Sequence, residues 1–134
     1  MQVSVRSVTA EAIVLCAPLS PNINHRETVF GGSASALAIL SAWSLVQLRM
    51  QDAAVECRLV IQRNRMEYSA PIQGTFCAHS FLVQPDRWEL FLKALQRKGM
   101  ARIEVGASLM FAGREAGRFE GEFVALEQGR DERS

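Results

Sequence analysis

From Gly31 to Leu48 the chain carries no charged side chain, and apart from Ser33, Ser35, Ser41, Ser44 and Gln47 every residue in this stretch is apolar or glycine. A helix drawn through it has no face suited to water, so it must be covered on most sides. Eighteen uncharged residues touch the lower limit for a membrane span, but the glycines, serines and glutamine dilute the segment, and a buried helix of a globular domain is expected instead. Whatever surrounds such a helix has to curl about it.

The rest of the chain supplies β-structure for that purpose. Val3 and Val5 alternate with Ser4 and Arg6, and an apolar run follows from Ala10 to Cys16, which reads as a β-hairpin. After the helix, 55–68 and 74–83 are β-rich segments separated by Ser69-Ala70-Pro71, and they are expected to pair as antiparallel neighbours. Asp86 is a candidate N-cap for a short helix in which Trp88, Phe91, Leu92 and Leu95 share one face and Gly99 ends the last turn. Two final strands, 101–111 and 115–126, flank Ala112-Gly113-Arg114. The expected fold is therefore α+β: an antiparallel sheet wrapped around one long central helix, the hotdog architecture. Edge strands and an incompletely covered helix predict a homodimer or a dimer of dimers.

Length and charge narrow the function. A chain of 134 residues makes one domain, expected over 1–126 with a polar tail at 127–134. Fifteen basic against fourteen acidic residues provide no field to draw it to nucleic acid or an anionic membrane. Cys16, Cys57 and Cys77 form no CxxC pair and sit in apolar runs, so they read as reduced core thiols, and with no signal peptide at the N-terminus the expected location is cytoplasmic. His79, alone in an apolar strand, reads as a core histidine, and no metal or cofactor is expected.

The loop before the helix carries the chemistry. Asn22, Asn24 and His25 precede Phe30-Gly31-Gly32, and the Gly pair leaves unpaired N–H groups at the positive end of the helix, where they can polarise a carbonyl. Asn24 can hold a water, and His25, with an ordinary pKa near 6.5, can take its proton. Glu27 is the alternative base, with Glu67 or Tyr68 reaching across a dimer seam as others. Ser35, one turn into the helix, could face the same pocket. Trp43 reads as core or as the floor of an acyl pocket. Arg63 and Arg65 share a strand face and, with Arg58 on the opposite face, could meet phosphates; a solvated strand face is the plainer reading.

Pro21-Asn22-Ile23-Asn24-His25, Thr28 to Ser33 with its Phe30-Gly31-Gly32 core, Trp43, and Tyr68 to Pro71 together resemble the hotdog thioesterases typified by the C-terminal domain of YiiD, over nearly the whole chain. The resemblance implies hydrolysis of acyl-CoA or acyl-carrier-protein thioesters and carries over Asn24, Gly31 and Gly32; together with His25 as base these are the expected catalytic residues, and Asn22, Phe30, Ser35, Arg63 and Tyr68 are expected around the substrate. It also implies a stand-alone version of a domain that elsewhere follows an acetyltransferase-like one. Better understood hotdog thioesterases place a His where Phe30 stands and a carboxylate on the central helix near Ile39; no acid lies between Glu27 and Asp52 here. That gap supports a second expectation, a non-catalytic acyl-thioester-binding module.

Overall fold

The computed structural model describes residues 2–19 and 31–127. Six strands and two helices follow one another as β1 (Ser4–Val8), β2 (Ala12–Ala17), α1 (Gly31–Asp52), β3 (Cys57–Tyr68), β4 (Phe76–Leu82), α2 (Trp88–Lys98), β5 (Met100–Phe111) and β6 (Arg114–Glu127). The strands form one antiparallel sheet in the order β1-β2-β4-β5-β6-β3. α1 is 22 residues long and packs against β2 through β6. Leu37, Ala38, Ala42, Leu45 and Val46 are fully buried there against Phe76, Leu109, Phe119 and Phe123.

Ser41 fixes where α1 sits along the sheet. Its hydroxyl lies 2.9 Å from the Ile13 carbonyl and 3.1 Å from that of Ala78, so one buried donor ties the helix to β2 and β4. At the far end the Arg49 guanidinium donates to the Ala10 carbonyl and lies 4.6 Å from the centre of the Trp88 ring. This places a cation in the last turn of α1, where the helix dipole favours it.

Several expectations change. β3 and β4 are not neighbours: β3 pairs with β6, and β4 lies between β2 and β5. Ser69 to Pro71 is the start of a crossover rather than a hairpin turn. The amides of Ser69 and Ala70 bond to the Ala116 carbonyl, and buried Ile72 anchors the connection in the core. Asp86 does not cap α2. Pro85, with its fixed φ, opens a 3-10 turn over Pro85–Arg87 that includes Asp86, and Arg87 becomes the N-cap residue. Gly99, at φ 74°, closes α2 as expected, because only a residue without Cβ adopts that left-handed cap at low cost. The loop between β5 and β6 needs only Ala112 and Gly113, both at positive φ.

The cysteine reading also changes. Cys16 and Cys77 stand directly opposite each other on β2 and β4 and are joined in a disulfide, leaving buried Cys57 as the free thiol. A sequence separation of 61 hides a pairing that only the β2–β4 register creates. His79 points out of the sheet and is exposed, since it lies two residues beyond Cys77 on the same outer face.

Candidate functional site

α1 runs antiparallel to β2, because Ser41 reaches Ile13 while Arg49, further along the helix, reaches back to Ala10. Ten residues of helix, about 15 Å, carry Gly31 away from Ser41. Four residues of β2, about 13 Å, carry Ala17 away from Ile13. The N-terminus of α1 therefore lies at the end of the sheet that holds Ala17 and Phe76. The register carries that end across to Cys77 and Met110, then Met110 and Glu115, and finally Gly117 and Tyr68. Gly31, Gly32 and half-buried Ser35 on α1 and Tyr68 on β3 thus gather at one end of the domain.

Two features set the chemistry of that end. The first turn of α1 contains no acidic side chain, so none of the helix's own first-turn residues neutralises its positive pole. Tyr68 lies on the helix side of the sheet, paired with Gly117, and partial burial pushes its phenol above the usual range, keeping it a neutral donor. Gly117 is required there: a Cβ would stand 3.0 Å from the Glu67 carbonyl oxygen and 3.2 Å from Leu109. Asn22, Asn24, His25, Glu27 and Phe30 lie outside the described residues.

Arg63 belongs to the other face. A bulge between Ile61 and Arg63 shifts the register of β3, so that Arg58 and Val60 lie on the same outer face as Arg63, Arg65 and Glu67. The expected opposition of Arg58 to Arg63 and Arg65 is thereby reversed. On that face Arg63 is opposite Glu122, Arg65 opposite Glu120 and Glu67 opposite Arg118. Glu122 lies 3.8 Å from Arg63 and 3.9 Å from Arg102, and Arg65 bonds Glu67 at 2.6 Å. The two Glu122 pairs cross strands and the Arg65–Glu67 pair runs along β3; such surface pairs are each worth a few tenths of a kcal/mol to about 1 kcal/mol. They form a solvated charge ladder facing away from α1. The signal for it was present in the sequence: Arg63-x-Arg65-x-Glu67 complements Arg118-x-Glu120-x-Glu122 once the two segments run antiparallel.

Trp43 is not a core residue: 37% of its surface is exposed. Its indole N–H donates to the Leu59 carbonyl at 3.2 Å, while its ring lines an apolar cleft against β1 and β2. Among the described residues no group of three or more His, Cys, Asp or Glu side chains is placed to hold a metal ion, and no helix is long and apolar enough to cross a membrane.

The family model described as "Putative thioesterase (yiiD_Cterm)" matches residues 1–127, and the chain belongs to this thioesterase family. A solved protein of unknown function from Chlorobaculum tepidum superposes with a TM-score of 0.91 at 28% identity, over 96% of this chain and 84% of that one. A putative thioesterase from Shewanella oneidensis gives 0.84, also at 28% identity, over 94% and 85%. A thioesterase from Haemophilus influenzae shares the fold at 8% identity, with a TM-score of 0.73 over 93% and 78%. The reaction class that follows from family membership is thioester hydrolysis.

Proposed function

We propose that the protein hydrolyses acyl-CoA or acyl-carrier-protein thioesters, using the Gly31 and Gly32 amides to stabilise the oxyanion and Asn24 and His25 to hold and deprotonate the attacking water. The observation that carries this reading is the acid-free first turn of α1, at the end of the sheet that also holds Tyr68. As water attacks, the thioester C=O becomes a tetrahedral oxyanion; backbone N–H donors aimed at that oxygen stabilise it, and losing one such donor costs about 3 kcal/mol. His25 takes the proton from water and returns it to the leaving thiolate. Asn22, Phe30, Ser35 and Tyr68 line the substrate, and Arg63 meets the phosphates of its carrier from the outer face. Neither metal nor cofactor takes part.

The unit in this reading is a hotdog dimer or a dimer of dimers, with α1 as the central helix wrapped by the sheet. Support comes from β3, twelve residues long at the edge of the sheet. Such an edge is normally covered. The protein works in the cytoplasm, and thiol trapping in cells reports whether Cys16–Cys77 persists there.

The pH profile tests the mechanism. With His25 as base, kcat/KM rises through a pKa between about 6 and 7.5, and His25→Gln removes that limb while thioester affinity stays within a few-fold. Asn24→Ala lowers hydrolysis at least about tenfold with little change in Tm. An unaltered pH profile in His25→Gln refutes the base assignment. The lack of any carboxylate on α1 before Asp52 favours one second reading, a module that binds acyl thioesters without cleaving them. Tight binding of a thioether analogue with no turnover of any thioester would establish it.

A further inference from the structure

We infer that the cleft between the β1–β2 hairpin and the middle of α1 is the seat of a long, unbranched acyl tail; this rests on the thioester reading above and names the substrate class of that site. The cleft exists because of a bulge. Between Val5 and Ser7 the register of β1 slips by one, so Val5 pairs with Leu15 and Val8 with Ile13. Residues three apart on a regular strand would face opposite sides, yet both valines turn toward α1. They stay exposed, at 64% and 53%, while buried Ile13 and Leu15 form the base and Trp43 and Leu48 the helix side.

Chemistry and shape both specify the occupant. Among the described residues no charged side chain lines the cleft, and the polar ones are Ser44 and Gln47, so these residues offer neither a partner for a headgroup nor a match for a polar peptide. Its volume is about 270 Å³. At about 30 Å³ per water-sized group, that accommodates roughly nine methylenes, less than the volume of even a short helix or strand of another protein. Gly32, Ala36, Leu40 and Trp43 fall on one strip of α1, and all four are exposed. The strip runs about 16 Å at 1.5 Å per residue from the proposed oxyanion site to the cleft. A chain whose carbonyl sits at Gly31 and Gly32 follows this apolar track, and only a long one reaches the cleft. Burying apolar surface at its far end then contributes about 0.8 kcal/mol per methylene.

The test compares butyryl-CoA with palmitoyl-CoA on the wild type, on Val8→Trp, which fills the cleft from an exposed β position, and on Val83→Trp, an equally bulky change outside it. A palmitoyl-CoA thioether brominated near the chain end provides a readout independent of turnover, by quenching Trp43 fluorescence, with Trp43→Phe as control. Palmitoyl-CoA is expected to have the lower KM. Val8→Trp raises that KM at least about tenfold and leaves butyryl-CoA within about twofold, Val83→Trp changes neither, and the quench disappears in Trp43→Phe. Equal loss at both chain lengths, an unchanged palmitoyl KM in Val8→Trp, or absence of quenching overturns the tail site. Hydrolysis of both substrates with no quenching leaves the hydrolase reading standing without this site. Quenching with no hydrolysis of either supports the site and removes the hydrolase.

Discussion

Ser41→Ala tests the idea that one buried hydroxyl sets the position of the functional helix. Ser41 has no exposed surface and donates toward the Ile13 and Ala78 carbonyls at 2.9 and 3.1 Å. Removing it loses a net hydrogen bond worth about 1 kcal/mol, and any carbonyl left without a donor adds part of a penalty of about 1–3 kcal/mol. Ile13 is cushioned, because the Ser80 hydroxyl also lies 3.2 Å from its carbonyl. Ala78 loses its side-chain donor outright. The expected cost of the single change is therefore about 1–2 kcal/mol, a fall in Tm of roughly 3–10 °C for a domain of this size. The double variant Ser41→Ala/Ser80→Ala strips both hydroxyls from Ile13 and should cost at least about 0.5 kcal/mol more than the sum of the singles. Urea unfolding at fixed protein concentration, with an unchanged m-value, is the assay. A neutral Ser41→Ala, or strict additivity in the double variant, would refute the reasoning.

Two further outcomes concern the cysteines. Denatured without reductant, the protein should show one titratable thiol per chain, from Cys57, and three after reduction; on the chain-entropy model, opening a loop of 61 residues lowers stability by about 4 kcal/mol, so three thiols without reductant would dismiss the Cys16–Cys77 link. Burial, aided by Glu127, pushes the Cys57 thiol above its ordinary value of 9.0, so the folded state holds this proton more tightly than the unfolded one. Stability from this group is full below about pH 9 and is lost as pH rises through the raised value; Cys57→Ala should flatten that decline, and an identical slope in both proteins would exclude the thiol as its source.

How much of this was legible depended on whether the signal was local. α1 was readable because eighteen uncharged residues can only be buried, and α2 because its apolar spacing and Gly99 both lie within one segment. Pairing was not local. Ser69-Ala70-Pro71 marks where β3 stops but carries nothing about where β4 goes, so two strands adjacent in sequence were placed side by side although they lie at different positions in the sheet. The disulfide failed for the same reason, since Cys16 and Cys77 meet only through the β2–β4 register. The two bulges hid which way side chains face: one moved Arg58 onto the face of Arg63, and the other turned both Val5 and Val8 inward. At the candidate site, the helix terminus and Tyr68 were readable from Gly31-Gly32 and from the end of the strand run, while Asn22, Asn24 and His25 lie outside the described residues.

The two helices of this domain treat their dipoles differently, and the difference bears on where an anion can be stabilised. α2 carries Glu89 in its first turn and Arg97 and Lys98 in its last, so both poles meet complementary charge, as on an ordinary surface helix. α1 carries Arg49 in its last turn and no acid in its first. Its negative pole meets Arg49, and its first turn offers no carboxylate to the positive pole. A carboxylate on the first turn would stabilise the helix by about 0.3–1 kcal/mol, and α1, at 22 residues, has the aligned peptides to benefit. The same carboxylate would occupy the amides and oppose any oxyanion brought to them. A first turn without acid forgoes that small gain in stability, and under the proposed mechanism it leaves the donors free for charge that develops only during thioester cleavage. On the same proposal the absence of acid from α1 has two consequences: it removes a base from the helix and preserves the electrostatic site at its end. The proton transfer then comes from a residue off the helix, the role proposed for His25.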